Sequence, residues 1–316
     1  MTRIVALTGG TGFIGRAIAR RLQAEGYRVK ALLRSSFSAS PLAGYSIEFV
    51  PGDLSDTDSL CRLVEGADFV VHCAGVIRGA WKTDFERVNV EGVARLVQAV
   101  TRQHPVPRFL LISSLAAREP QLSMYAASKR QGEIMVEQLA GEMAWTAFRP
   151  PAVYGPEDRE LLPLFRLMAR GIAPVLGPPE ARFSLLFVED LAEAVLHWLR
   201  SSKSVAAAIE LHDGKTSGYT WQEVVDTVGR LCHRRIRCFS VPEPLLRTAA
   251  LVNLSMARLL GYAPMLTPDK VRELCHLNWV CKDDACSRMY GWQPQVTLEE
   301  GLRRTFEHGN RWMCSS

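Results

Sequence analysis

The sequence has no C-x-x-C pair and no cysteine–histidine cluster at zinc-binding spacing. Its eight cysteines, Cys61, Cys73, Cys232, Cys238, Cys275, Cys281, Cys286 and Cys314, are scattered along 316 residues. No metal is expected, and reduced thiols are the simplest expectation. Long apolar runs are missing too: nothing approaches the roughly 20 residues needed to span a bilayer. No charged leader or cleavage site precedes the strand-like "RIVALTGG", so secretion is not expected and the cytoplasm is the expected location. Low-complexity tracts and solenoid repeats are absent. Charge of one sign is only in modest excess, 38 Lys and Arg against 33 Asp and Glu, for a net +5. Dispersed charge of that size does not suit nucleic acid. The densest basic cluster, "RLCHRRIR" at 230–237, reads as a solvated helix end and the strand after it.

What is present is an alternation. The chain is 47% hydrophobic and 22% charged, enough for a substantial core. Over the first 150 residues, short apolar runs ("RIVALTG", "YRVKALLR", "SIEFVPGDL", "ADFVVHCAG", "PRFLLISS", "AWTAFRP") alternate with helical patterns such as "FIGRAIARRLQAEG" and "MYAASKRQGEIMVEQLAGE". That order predicts an α/β fold, a Rossmann-type doubly wound parallel sheet. After Pro150, proline and glycine become frequent and the texture mixes. The expected division is a cofactor-binding domain over 1–155 and a smaller mixed C-terminal substrate lobe over 156–316. The strand near 207–211 could return to the main sheet. In "TWQEVVDTVGRLC", Thr220 is the expected N-cap and Glu223 completes a capping box.

The loop "ALTGGTGFIGRAIA" joins the first strand to the first helix, with Gly9, Gly12 and Gly15 as G-x-x-G-x-x-G. A tight turn, close approach of backbone to a pyrophosphate and an open helix N-terminus all demand small residues there. Gly9, Thr11, Gly12, Phe13, Ile14 and Gly15 are therefore the candidate cofactor loop. An NAD enzyme usually carries a carboxylate at the end of strand two, to hold the ribose hydroxyls. Here that end reads "ALLRSS", with Leu33 at the expected place and Arg34, Ser35 and Ser36 after it. An arginine with two hydroxyls suits a 2′-phosphate, so the sequence favours NADP, with NAD as the alternative.

The ordered set "TGGTGFIG", "GDL", "HCAG", "VNVEG", "ISS", "YAASK" and "RPPAVYGP" resembles the extended short-chain dehydrogenases/reductases, the NAD-dependent epimerase/dehydratase family. The weaker "FVEDLAEAV" and "GWQPQVTLEEGLRRT" extend the likeness over nearly the whole chain. The resemblance implies that Asp53 and Leu54 border the adenine, and that Cys73, Ala74 and Gly75 pass behind the ribose and pyrophosphate. It implies that Asn89 braces the central strands, and that Ser113, Pro150 and Val153 lie along the cofactor. Ser114 would hold the reacting oxygen, and Tyr125 and Lys129 would be the acid/base pair.

The chemistry asks for these groups on its own account. Delivering hydride to a carbonyl also requires a proton for the developing alkoxide, and a free phenol with pKa about 10 is a sluggish donor. An ammonium one turn away favours the phenolate. Residues i and i+4 share a helix face, so Tyr125 and Lys129 can both face the cleft. A serine hydroxyl such as Ser114 then fixes the carbonyl.

Two departures from the sugar-nucleotide epimerases stand out. Tyr125 follows Ser114 by only eleven residues, and Arg34 replaces the usual carboxylate. An NADP-dependent oxidoreductase interconverting a ketone and a secondary alcohol is the expectation. A nucleotide-sugar epimerase or dehydratase and a non-catalytic cofactor-binding subunit remain the alternatives. Arg182 is a candidate substrate-anion contact by the same resemblance. Residues 241–268 resemble the late segment of hydroxysteroid-dehydrogenase-like and flavonol-reductase-like relatives. Their apolar stretch, Leu245 to Leu260, is open to three readings: a core or dimer helix, a pocket wall, or a surface helix in peripheral contact with a membrane. The resemblance implies a small-molecule substrate and a homodimer formed through the helices that carry Asn89 and Tyr125. His72 reads as structural.

Overall fold

The computed structural model describes residues 2–34, 45–203, 205–282 and 284–308. Six apolar runs form β1 (Ile4–Thr8), β2 (Arg28–Leu33), β3 (Ile47–Pro51), β4 (Phe69–His72), β5 (Arg108–Ile112) and β6 (Trp145–Arg149). Between them lie α1 (Phe13–Ala24), α2 (Thr57–Val64), α3 (Lys82–Asn89), α4 (Glu91–Thr101) and α5 (Met124–Leu139). The C-terminal part adds strands β7 (Ala152–Tyr154), β8 (Ile172–Leu176), β9 (Arg182–Phe183), β10 (Leu185–Phe187), β11 (Ala207–Glu210), β12 (Arg237–Val241) and β13 (Asn278–Trp279). Its helices are α6 (Leu162–Ala169), α7 (Val188–Arg200), α8 (Trp221–Leu231), α9 (Glu243–Leu260), α10 (Pro268–Leu274), α11 (Ala285–Tyr290) and α12 (Leu298–Glu307).

Seven strands make one parallel sheet in the order β11-β6-β5-β4-β1-β2-β3. This is a Rossmann-type doubly wound α/β fold. Its strands read as unbroken apolar runs because both faces are covered. Alternate side chains go opposite ways. Val5, Leu7, Phe69, Val71, Leu110 and Ile112 pack with residues of α1 and α7. Ala6, Val70, Phe109 and Leu111 pack with residues of α2 and α4. The strand order reverses between β1 and β4, the crevice where such sheets take ligands at their carboxyl ends.

The C-terminal part has its own core, in which Tyr154, Phe165, Phe187, Val224, Leu302 and Phe306 meet. It is stitched by short parallel pairs, β7 with β10, β8 with β12 and β9 with β13. Thr220 caps α8 and Glu223 closes the capping box, as its sequence predicts. The basic cluster at 230–237 is a helix end followed by β12, also as predicted. Cys61, Cys73, Cys238, Cys275, Cys281 and Cys286 are free thiols, whereas Cys232 is disulfide-bonded, a departure from the expectation of reduced thiols throughout. Helix α9 is not a core helix of this chain: only Leu246, Ala250 and Ala257 are buried along it. Among the described residues, no helix is long and apolar enough to cross a membrane.

Candidate active site

The carboxyl ends of β1, β4, β5 and β6 converge, and each hands its chain to a candidate residue. After β1, Gly9 takes a positive φ of 72°. A Cβ there would meet the Ala74 backbone nitrogen at 2.5 Å, so the loop after β4 fits only against glycine. The Gly12 N–H donates to the Gly9 carbonyl at 2.9 Å, closing the turn. A Cβ on Gly15 would stand 2.1 Å from that same carbonyl. Gly12 caps α1 without a side chain, and the first turn holds no acidic residue. Its free N–H groups and positive dipole end are thus left for an anion. Phe13 and Ile14 are half-buried, and Ile14 packs on the core. The Thr11 carbonyl accepts from Arg16 at 2.7 Å. These residues suit the pyrophosphate of a dinucleotide.

Arg34 is exposed just past β2, where Leu33 pairs with Pro51 of β3. Asp53 accepts from the Ser55 amide at 2.7 Å and its hydroxyl at 2.5 Å. Those hydrogen bonds hold its carboxyl below the usual range, and the charge of Arg34 adds to them. Leu54 lies under α4, touching the space beside Gly92. Ser35 and Ser36 lie outside the described residues.

Behind this loop, Thr8 and His72 share a buried hydrogen bond of 2.6 Å between hydroxyl and Nδ1. The Ala74 amide donates to the same Thr8 hydroxyl at 3.3 Å. Burial, and then the charge of Lys129, press His72 down to about 3, so it stays neutral and structural, as its position suggests. Burial pushes the Cys73 thiol up to about 12, with Lys129 opposing.

Helix α5 starts at Ser123, whose hydroxyl accepts from the Ala126 amide at 2.9 Å and donates to the Glu273 carboxylate of α10. Asp269 of α10 accepts from the Met124 amide at 2.9 Å. The C-terminal lobe thereby pins the start of the helix that carries Tyr125. Tyr125 is half-buried, with the Phe85 ring 6.4 Å away. Burial raises its phenol to about 12; the nearby Ser114 side chain opposes this and the charge of Glu273 adds to it.

One turn on, the buried Lys129 ammonium donates to the Ile112 carbonyl at the end of β5, at 2.8 Å. Burial lowers its pKa to about 8, against the pull of Cys73 and Glu133. Asn89 is buried and answers the Val76 amide and carbonyl at 2.9 Å each, while donating to Ser128 of α5 at 2.9 Å. It therefore clamps the loop after β4 to α5.

Glu133, a further turn along α5, is absent from the residues that sequence reasoning selects. It is buried, accepts from the Ser113 hydroxyl at 2.6 Å and receives two bonds from Arg149 of β6 at 2.8 and 2.6 Å. The spacing Tyr125, Lys129, Glu133 on one helix face is the signal that could have found it. Pro150 accepts from the Leu115 amide at 2.8 Å, tying β6 to the segment after Ser114. Val153 on β7 packs against the main core. Arg182 sits apart on β9, in an ion pair with Glu223 of α8 at 3.6 Å.

Doubly wound sheet, glycine cradle and convergent strand ends define a dinucleotide-binding α/β enzyme. The model of the NAD dependent epimerase/dehydratase family matches residues 5–210. The chain belongs to that family; it is an NAD(P)-dependent oxidoreductase of the extended short-chain dehydrogenase/reductase type. It is 37% identical to the ceramide reductase of Caulobacter vibrioides, over 87% of this chain and 85% of that protein. It is 28% identical to the 2-alkyl-3-oxoalkanoate reductase of Stenotrophomonas maltophilia, over 95% and 97%. Among solved structures, UDP-glucuronic acid 4-epimerase from Bacillus cereus, in complex with UDP-glucuronic acid and NAD, superposes with a TM-score of 0.74 at 17% identity, covering 99% of each chain. At that identity the likeness speaks for the fold.

Proposed function

We propose that the protein uses NADPH to reduce a ketone on a long-chain amphipathic substrate to the secondary alcohol, with Tyr125 as proton donor. The observation that carries this reading is the placement of Tyr125 and the buried Lys129 one turn apart on α5, with the Lys129 ammonium on the Ile112 carbonyl at the end of β5, two residues before Ser114. The bound cofactor supplies the hydride. Ser114 holds the carbonyl oxygen, and Tyr125 gives that oxygen its proton as charge develops there. Burial keeps the phenol protonated, which suits a donor; a positive Lys129 one turn away would ease its release as the alkoxide forms. Ser113, Glu133 and Arg149 hold the end of β5 under this pair, and Asn89 holds α5 to the loop after β4.

The similarity to a ceramide reductase and to a 2-alkyl-3-oxoalkanoate reductase supports a ketone on an alkyl-chain substrate over a nucleotide sugar. Arg34 and the short Ser114–Tyr125 spacing support the same choice. Consumption of NADPH with a panel of long-chain ketones tests the reading. Epimerisation of a nucleotide sugar without added cofactor, and no ketone reduced, would overturn it.

Two further outcomes are expected. Arg34→Glu should weaken NADPH binding at least about tenfold and leave NADH nearly unchanged, since only the 2′-phosphate needs the guanidinium. Fluorescence titration of both cofactors checks it, and an equal effect on the two would remove Arg34 from that role. For pH, Lys129 is charged below its pKa of about 8 and neutral above it. Ketone reduction should therefore fall as pH rises through about 8. A rate that holds level into the ordinary lysine range would show that this charge is not needed.

A further inference from the structure

Helix α9 buries Leu246 and Ala250 against Val271 of α10. On its other side, Leu245, Val252, Met256, Leu259 and Leu260 follow at i, i+7, i+11, i+14 and i+15. At 3.6 residues per turn these positions fall within one arc of about 100°. All five face solvent, from 49% exposed at Met256 to 84% at Leu259. A surface helix ordinarily carries charge on such an arc, and a contiguous apolar stripe of this size marks a contact surface.

The surrounding charge selects the occupant. From 233 to 262 the chain carries Arg234, Arg235, Arg237, Arg247 and Arg258 against a single carboxylate, Glu243. A second copy docked on this stripe would set that positive segment against itself, whereas anionic headgroups would neutralise it. The stripe also ends beside the candidate site. The Arg258 guanidinium lies 4.3 Å over the Trp81 ring and donates to the Ala80 carbonyl at 3.4 Å, on the segment between β4 and α3. Helix α10, packed on α9, holds the start of α5 next to Tyr125.

We propose that α9 lies in the surface of an anionic lipid bilayer, its apolar arc in the acyl boundary and its arginines among the headgroups. The chain then opens its substrate side toward the layer in which a long-chain ketone resides. The docking stands on α9 alone; its purpose rests on the lipid-ketone reading above.

Flotation of the full chain with vesicles of phosphatidylglycerol and phosphatidylcholine in equal parts tests it, with phosphatidylcholine vesicles and high salt as controls. The protein should float with the anionic vesicles, less so on phosphatidylcholine or in high salt. The double variant Met256→Glu, Leu259→Glu should lose at least about tenfold in vesicle affinity. Its near-UV circular dichroism and its turnover of a short, water-soluble ketone should stay unchanged. Failure of the wild type to bind anionic vesicles, or undiminished binding by the variant, would overturn the proposal. So would a wild-type dimer in solution that the same substitutions convert to monomer, which would give the stripe to a second copy. Vesicle binding without turnover of any ketone would leave the docking intact and remove the reductase reading. Turnover without binding would do the reverse.

Discussion

Tyr125→Phe should lower ketone reduction by about a thousandfold while NADPH binding changes less than about threefold. The expectation follows from what the hydroxyl alone contributes. The ring stays beside Phe85, where it packs 6.4 Å away, so α5 keeps its place. Ser123 still caps the helix and Lys129 still reaches the Ile112 carbonyl. What disappears is the proton that the developing alkoxide needs. Single-turnover rates and a fluorescence titration of NADPH separate the two effects. If the variant turned over as fast as wild type, the proton would come from elsewhere.

The second large effect belongs to the glycine cradle. Gly15→Val should reduce affinity for the dinucleotide roughly a hundredfold or more, because even the first carbon of a side chain meets the Gly9 carbonyl at 2.1 Å. That carbonyl is the acceptor of the Gly12 amide, so relieving the clash opens the turn that shapes the helix N-terminus. Calorimetry with NADPH, with far-UV circular dichroism to confirm an intact fold, checks it. Unchanged affinity would mean that the cradle does not hold the pyrophosphate.

Much of the fold was legible in the chain. Strands β1 to β6 read as apolar runs because helices cover both faces of the sheet, and the glycine loop stood where a strand meets a helix. The capping box of Thr220 and Glu223 was local, and local patterns survive into the structure. The pairs β7 with β10 and β9 with β13 were not legible, since two or three residues are too short to show a period. The clamp on the start of α5 was hidden for another reason: Ser123 and Glu273 are 150 positions apart, and only tertiary packing joins them. Glu133 had a helical spacing to Lys129, but its partner Arg149 sits off that helix, on β6. Helix α9 shows how composition can mislead. An apolar run reads equally well as core, pocket wall or surface contact, and only burial tells that six of its large apolar side chains face outward.

The central claim is that this chain transfers hydride to a ketone on a long-chain substrate. The most direct measurement is isotopic. NADPH deuterated at the transferring position is mixed with enzyme and a long-chain ketone, and the product is analysed by mass spectrometry. The account predicts a secondary alcohol carrying one deuterium on the carbinol carbon, formed in step with NADPH loss and absent with Tyr125→Phe. An unlabelled product, or NADPH that is never consumed while a nucleotide sugar epimerises, would contradict it.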